Sequence, residues 1–97
     1  MRHAVIAGTV EWQRHSLERM MERGISRASV KQVLLDGELI EDYVDDRPFP
    51  SALFLGLQEA KPLHVVAAFD ERSGMCYIIT AYHPDEEHFS PDFRTRR

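Results

Sequence analysis

Residues 15–37 read HSLERMMERGISRASVKQVLLDG and carry two helical patterns separated by a glycine. The apolar residues of the first pattern recur at the i, i+3, i+4 spacing of one helix face; they are Leu17, Met20 and Met21. Gly24 favours the left-handed conformation that ends a helix, and Ser26 is a preferred N-cap for the next one. The second helix is predicted to end near Asp36. We therefore predict a helical hairpin over residues 11–36.

Beyond Gly37 the chain shows the pattern of β-strands. Four segments rich in β-branched, aromatic and aliphatic residues are separated by turn residues; they are 38–46, 51–57, 63–69 and 75–82. Before the hairpin, residues 1–10 are predicted to be an extended lead-in. After the strands, residues 85–97 are predicted to be a polar tail, with Phe89 and Phe93 as its anchors.

This order of elements predicts one α+β domain over residues 1–97. An N-terminal helical hairpin (11–36) packs on a four-stranded antiparallel meander sheet (37–84). The hairpin covers one face of the sheet, and the other face is expected to be open unless a partner covers it. A length of 97 residues fits a single domain with one modest core.

The composition excludes several classes of protein. With 43% hydrophobic and 29% charged residues, the chain is not intrinsically disordered. No apolar run reaches the roughly 18–20 residues of a membrane span, so no membrane partner is expected. The first ten residues lack the long apolar region of a secretory signal. A single cysteine, Cys76, excludes a disulfide framework and a multi-cysteine zinc site, and we expect a cytoplasmic location.

The formal net charge of −4 is unevenly distributed along the chain. Residues 1–36 carry six basic and four acidic side chains, whereas residues 37–71 carry two basic and eight acidic ones. The net acidity does not favour RNA as a partner, but it leaves room for a local basic site. The simplest interpretation of the acidic middle segment is a set of solvated strand faces.

The polar face of the first helix is one candidate for chemistry. His15, Arg19 and Arg23 follow one another at i, i+4 spacing and so lie on one side of the helix. Arginine offers bidentate donors to phosphate, and histidine transfers protons near neutral pH. The pattern therefore fits an anion site, although a solvated face with ion pairs would look the same.

The strands carry a second candidate group. His64 lies in an apolar run, where burying a histidine is costly unless its nitrogens are hydrogen-bonded. Thr80 and Tyr82 are predicted by the period of two to share a face with Ile78. Threonine and tyrosine also favour strands for packing reasons alone.

The histidines do not form a recognisable metal motif. The chain has five of them, at positions 3, 15, 64, 83 and 88, and none forms the helical pairs typical of zinc sites. We therefore predict no metal ion and no other cofactor.

Four motifs stand along the chain. They are His15-x-x-x-Arg19-Met20-x-x-Arg23-Gly24-Ile25-Ser26, Gly37-Glu38-Leu39-Ile40-Glu41-Asp42-Tyr43, Leu63-His64-Val65-Val66 and Ile78-Ile79-Thr80-Ala81-Tyr82. Together they resemble a bacterial family known as domain of unknown function 4258, from about His15 to Asp85. That family has no assigned activity, so this resemblance implies a fold and no function.

The predicted layout is also similar to small toxin ribonucleases of the RelE and BrnT kind. In that group, basic and histidine side chains cleave RNA next to a helical hairpin on an antiparallel sheet. This resemblance is one of fold alone. It implies catalytic roles for His15, His64 and Tyr82. It implies phosphate binding by Arg19, Arg23 and Thr80.

Two functional hypotheses follow. The first is a non-enzymatic interaction module, which uses its sheet or its acidic middle segment to bind a protein partner or a second copy of the chain. Its candidate contact residues are Tyr43, Phe49 and Phe54. The alternative is a metal-independent, toxin-like ribonuclease. It requires His15, His64 and Tyr82 to converge in one cleft between the first helix and the sheet.

Overall fold

The computed structural model describes residues 7–96 and contains two helices and one five-stranded sheet. The helices are α1 (Arg14–Glu22) and α2 (Arg27–Asp36). The strands are β1 (Val10–Trp12), β2 (Glu38–Tyr43), β3 (Ser51–Gln58), β4 (Lys61–Asp70) and β5 (Met75–Tyr82). Their order across the sheet is β1-β5-β4-β3-β2, and β4 lies at its centre.

The α+β class is confirmed, but the prediction of a four-stranded antiparallel sheet is wrong in detail. A fifth strand, β1, pairs in parallel with β5, so the sheet is mixed. The residues of β1 fall where the predicted lead-in meets the predicted first helix, whereas α1 begins only at Arg14, after an N-cap at Gln13. A three-residue strand is too short to show a period of its own.

The turn predicted between the two helices is confirmed. Gly24 has a φ of +68°, a conformation that glycine adopts without a steric penalty. The hydroxyl of Ser26 accepts a hydrogen bond from the backbone N–H of Ser29, which caps α2. The predicted apolar stripe of α1 needs one correction, because Met21 is 81% exposed. Ser16 is buried in α1 instead.

Ser16 is buried because α1 runs along an exposed edge of β5. β1 pairs with β5 only as far as Ile78, so among the described residues the later part of β5 has β4 on one side and no strand on the other. The Ser16 hydroxyl donates to the Ile79 carbonyl (2.9 Å), and Arg23 donates to the Ala81 carbonyl (2.8 Å). These two side chains therefore satisfy backbone acceptors that a strand would otherwise pair.

The main core lies between the two helices and one face of the sheet, which we call the helix face. Its fully buried residues come from α2 and from two of the three inner strands, β4 and β5; they include Val30, Val33, Leu63, Val65, Ala67, Cys76 and Ile78. Burial raises the pKa of the Cys76 thiol to about 11, so this cysteine is a packing residue without thiolate character. Within residues 7–96, neither helix combines the length and the apolar character of a membrane-crossing segment.

A β-bulge in β5 changes which side chains share a face. Thr80 pairs with Val66 and Ile78 with Ala67, which leaves Ile79 as the extra residue. Ile78 therefore points to the helix face, whereas Thr80 and Tyr82 point to the opposite one. The prediction that Ile78 shares a face with Thr80 and Tyr82 is wrong for this reason.

The prediction of an open second face is wrong in part. Residues 85–96, which we call the tail, fold back over the face opposite the helices, which we call the tail face. Phe89 is 3% exposed there, and a β-bridge joins it to Arg96. The predicted anchors Phe89 and Phe93 both contact His64 of β4. The chain itself thus covers part of the surface that was expected to need a partner.

Candidate functional site

The sheet separates the two histidines of the ribonuclease hypothesis. Val65 of β4 belongs to the core on the helix face, so its neighbour His64 points to the tail face. His15 is exposed on α1, whose buried residue Met20 packs in that same helix-face core. The structure therefore brings His64 and Tyr82 together but places His15 on the other side of the sheet.

His64 lies in a closed, fully satisfied environment beneath the tail. Its side chain is completely buried, and the ring of Phe89 meets it edge-on with centroids 4.5 Å apart. Nε2 lies 2.8 Å from the carbonyl oxygen of Phe93, which only accepts, so Nε2 carries the proton. The Tyr82 hydroxyl, 3.3 Å from Nδ1, then donates to it. With both nitrogens bonded, His64 has no free site for a substrate while the tail is in place.

A charged network lies beside this histidine. The Nε of Arg96 donates to a Glu41 carboxylate oxygen (2.9 Å), and its Nη2 donates to the Tyr43 hydroxyl (3.1 Å). The Tyr43 hydroxyl donates in turn to Glu41. The Arg96 guanidinium also lies 5.2 Å from the centre of the Phe89 ring. These contacts fasten the end of the tail to β2.

The pKa values of these groups are shifted by their surroundings. Burial lowers the pKa of His64, and the hydrogen bond to Phe93 only partly opposes this. Burial raises the pKa of Tyr82 and Tyr43. Burial also acts to raise the pKa of Glu41, but hydrogen bonds from Tyr43 and Arg96 outweigh it and lower the value. At neutral pH the cluster therefore holds a neutral histidine, two neutral phenols and an ionised carboxylate.

The Arg96 contacts lead to a first prediction. Arg96→Gln is expected to destabilise the protein by about 1 kcal/mol, because it removes a partly buried carboxylate pair together with a hydroxyl contact. Urea unfolding of the two proteins at neutral pH measures this difference. Arg14→Gln is the matched control, since its ion pair with Glu18 is 94% and 61% exposed. Equal stability of both variants would contradict a role for Arg96 in holding the tail.

The three candidate phosphate-binding residues are only partly brought together. Arg23 reaches the Thr80 hydroxyl at 3.5 Å, but its stronger bond is to the Ala81 carbonyl. Arg19 is exposed on α1, and within residues 7–96 no hydrogen bond or ion pair involves its guanidinium. Arg23 thus has a structural role at the β5 edge, and these groups form no enclosed anion site.

The three candidate contact residues lie in different places. Tyr43 belongs to the network beneath the tail. Phe49 stacks on Tyr77, with centroids 5.4 Å apart and an interplanar angle of 4°, next to a cavity of about 380 Å³. Phe54 lies on the helix face and lines a groove at the end of the sheet.

This groove combines an apolar floor with an acidic rim, and we call it the acidic groove. Its volume is about 230 Å³; its lining includes Leu39, Ala52, Phe54, Phe69, Asp42 and Glu71, and no helix residue. Leu39 is 50% exposed. Among the described residues, no basic side chain pairs with the carboxylates of Asp42 and Glu71, both of which are exposed. The groove therefore offers apolar contact and uncompensated negative charge at one place.

The sequence indicates Phe54 as a contact residue and the acidic character of this segment, but not the rest of the groove. Leu39 and Asp42 are three residues apart, which strict alternation would place on opposite faces. A bulge between Leu39 and Glu41 changes this, so Leu39 pairs with Phe54 and Asp42 with Ala52 on the same face. No feature of the sequence identifies that bulge.

One exposed group of potential metal ligands occurs in the part of the chain that the structure describes. Ligand atoms of Asp85, Glu87 and His88 lie within 4.8 Å of one another. Asp85 already accepts hydrogen bonds from the backbone N–H groups of Glu87 and His88 and contacts the His88 ring. These contacts account for the grouping as a capped turn at the start of the tail.

Comparisons with known proteins connect this fold to one family. The family model described as a domain of unknown function (DUF4258) matches residues 12–83, from the end of β1 to just past β5. A search of the curated proteins and a search of the solved structures give no significant match. Because the matching region covers well over half of its length, the chain belongs to the DUF4258 family.

Proposed function

We propose that this protein is a non-enzymatic interaction domain that binds a basic segment of a partner protein in the acidic groove. The proposal is supported above all by one observation: the apolar side chains of Phe54 and Phe69 line the same groove as two exposed carboxylates, Asp42 and Glu71. An apolar floor rimmed by like charges suits an apolar side chain flanked by lysine or arginine.

The two parts of the groove have different roles in such binding. Aromatic and aliphatic groups on the floor provide most of the affinity, because they remove apolar surface of the partner from water. The exposed carboxylates select a basic partner and increase its association rate, and their effect is screened by salt. The excess of acidic residues in 37–71 supports the same preference over a wider area.

The ribonuclease alternative has less support. It requires His15, His64 and Tyr82 in one cleft, whereas the sheet lies between His15 and the other two. His64 is completely buried with both nitrogens bonded, as a structural histidine would be. Arg23 is engaged at the edge of β5. The interaction hypothesis needs none of these residues to be free.

A titration with two short peptides tests this proposal. Capped Lys-Phe-Lys is expected to shift backbone amide signals of Leu39, Phe54 and Phe69 in the NMR spectrum of the isotope-labelled protein, and capped Glu-Phe-Glu is not. The double variant Asp42→Asn/Glu71→Gln is expected to weaken binding about fivefold, since each exposed ion pair contributes roughly 0.5 kcal/mol. Added salt is expected to weaken binding to the unmodified protein.

The control keeps the same change in net charge at other positions. Asp45→Asn/Glu59→Gln removes two exposed carboxylates that do not line the acidic groove, and it is expected to leave the affinity unchanged. If both double variants weaken binding equally, attraction is a property of the whole acidic surface and the proposed groove is not the binding site. Equal binding of the two peptides would also refute the proposal.

A further inference from the structure

The outer edge of the sheet has a notch where β3 extends past its neighbour. Pairing of β2 with β3 begins at Glu38, opposite Leu55, whereas β3 continues to Gln58. Among the described residues, the last part of β3 therefore has β4 on one side and no strand on the other. Leu57, in this unpaired part, is 64% exposed.

The turn between β3 and β4 determines which backbone groups point into the notch. Glu59 and Ala60 have φ values of +50° and +68°, as in a two-residue hairpin turn. In such a turn the flanking residue, here Gln58, is hydrogen-bonded to its partner on the next strand. Hydrogen-bonded and non-hydrogen-bonded pairs alternate, so Leu57 opposite Pro62 is a non-hydrogen-bonded pair. The N–H and C=O of Leu57 therefore point away from β4 and into the notch.

A cavity lies on each side of this edge. The one on the helix face has a volume of about 400 Å³ and is lined in part by Gln32, Val33, Asp36 and Glu38. The one on the tail face has a volume of about 310 Å³; its apolar lining is Leu55, Leu57, Pro62 and Phe93, with Glu38, Asp92 and Arg94 as its charged groups. Gly56 and Leu57 line both, so the exposed backbone runs between the two cavities.

We infer that the notch binds an extended segment of a partner protein by strand addition at Leu57. One residue of the segment pairs with Leu57 through two backbone hydrogen bonds, and its side chain lies on the same face as that of Leu57. Because successive side chains of a strand point to opposite faces, this residue enters the tail-face cavity and its neighbour enters the helix-face cavity.

The linings of the cavities specify the chemistry of the segment. Leu55, Leu57 and Phe93 on the tail face suit a large apolar side chain. On the helix face, the exposed carboxylate of Asp36 suits lysine or arginine. The partner segment therefore places a basic residue next to a large apolar one. This site shares no residue with the acidic groove, so a negative result at one of the two sites would not contradict binding at the other.

The test uses the full chain and a fluorescein-labelled peptide that alternates lysine and leucine. We expect saturable binding in fluorescence polarisation and, with bound peptide, hydrogen exchange of the Leu57 amide slowed about tenfold or more. The same peptide with its leucines N-methylated keeps its side chains but loses the donor that pairs with Leu57. It is expected to bind about tenfold more weakly.

Two matched variants locate the site. Leu57→Lys places a charge in the tail-face cavity and is expected to weaken binding about tenfold. Val44→Lys is the control, because Val44 is equally exposed, at 63%, and lies outside both cavities. The inference is overturned by equal affinity for the N-methylated peptide or by an unprotected Leu57 amide in the complex. A peptide-free dimer that already protects this amide would overturn it too, since the occupant is then a second copy of the chain.

Discussion

Gly37→Ala is expected to destabilise the protein by about 3 kcal/mol, which is a large fraction of the stability of a domain of this size. Gly37 ends α2 with an N–H bond to the Val33 carbonyl (2.7 Å), and its φ of −74° is open to any residue. The glycine is required for space. A Cβ atom here would collide with the backbone oxygen of Val33 and lie 2.8 Å from that of Leu55. Backbone oxygens do not move aside as flexible side chains do.

The comparison variant separates this crowding from an effect of conformation. Gly74 lies in the β4–β5 turn with a φ of +74°, and a Cβ there would meet nothing within 4 Å. Gly74→Ala is therefore expected to cost only about 1 kcal/mol, the penalty of a left-handed alanine. Urea unfolding of both variants measures the difference. If Gly37→Ala is no more destabilising than Gly74→Ala, the contact between α2 and β3 is looser than described.

Acidification is expected to destabilise the protein through His64. Burial lowers the pKa of this histidine below its ordinary value of 6.5, so the unfolded chain binds a proton at a pH where the folded one does not. The stabilisation is fully present above pH 6.5 and is lost as the pH falls toward the lowered pKa. The loss in free energy of unfolding is at most about 1.4 kcal/mol per pH unit.

The groups around His64 account for the direction of this effect. A proton on Nδ1 removes the acceptor for the Tyr82 hydroxyl and places a charge beneath Phe89. The Arg96 guanidinium disfavours that charge, and the Glu41 carboxylate compensates only in part. Protonation therefore weakens the contacts that hold the tail.

Urea unfolding at pH 7.5 and at pH 5 measures the pH effect in three proteins. His64→Gln cannot titrate, so its stability is expected to fall less than that of the unmodified protein between the two conditions. His88→Gln is the control, because His88 is an exposed residue that contacts Asp85. It is expected to keep the full dependence on pH. A His64→Gln protein with an unchanged dependence would assign the effect to other groups.

The sequence predicts those parts of the fold that depend on local signals. The left-handed Gly24 and the Ser26 cap each fix a helix end within a few residues, and both are confirmed. The boundaries of β5 are confirmed as Met75–Tyr82. β1 could not be predicted, because its three residues become a strand only through pairing with β5, more than sixty positions away in the chain. That pairing is tertiary and leaves no local pattern.

The candidate sites were harder to predict, because each depends on which face a side chain occupies. A bulge at Ile79 separates Ile78 from Thr80, and another beyond Leu39 brings Leu39 and Asp42 together. One extra residue reverses every later assignment of faces in a strand. The sequence identified His64 as a histidine in need of partners, but it gave no sign that Phe93 and Phe89 supply them.

The tail also bears on where this domain ends. The family match stops at residue 83, whereas the contacts that cover His64 come from the tail, between Phe89 and Arg96. A chain cut at the family boundary would keep both helices and β2 to β5, yet it would uncover the His64 imidazole and leave the Glu41 carboxylate without its Arg96 partner. The cover of His64 therefore lies outside the region by which the family is recognised, and Phe89 contributes a buried aromatic side chain from there.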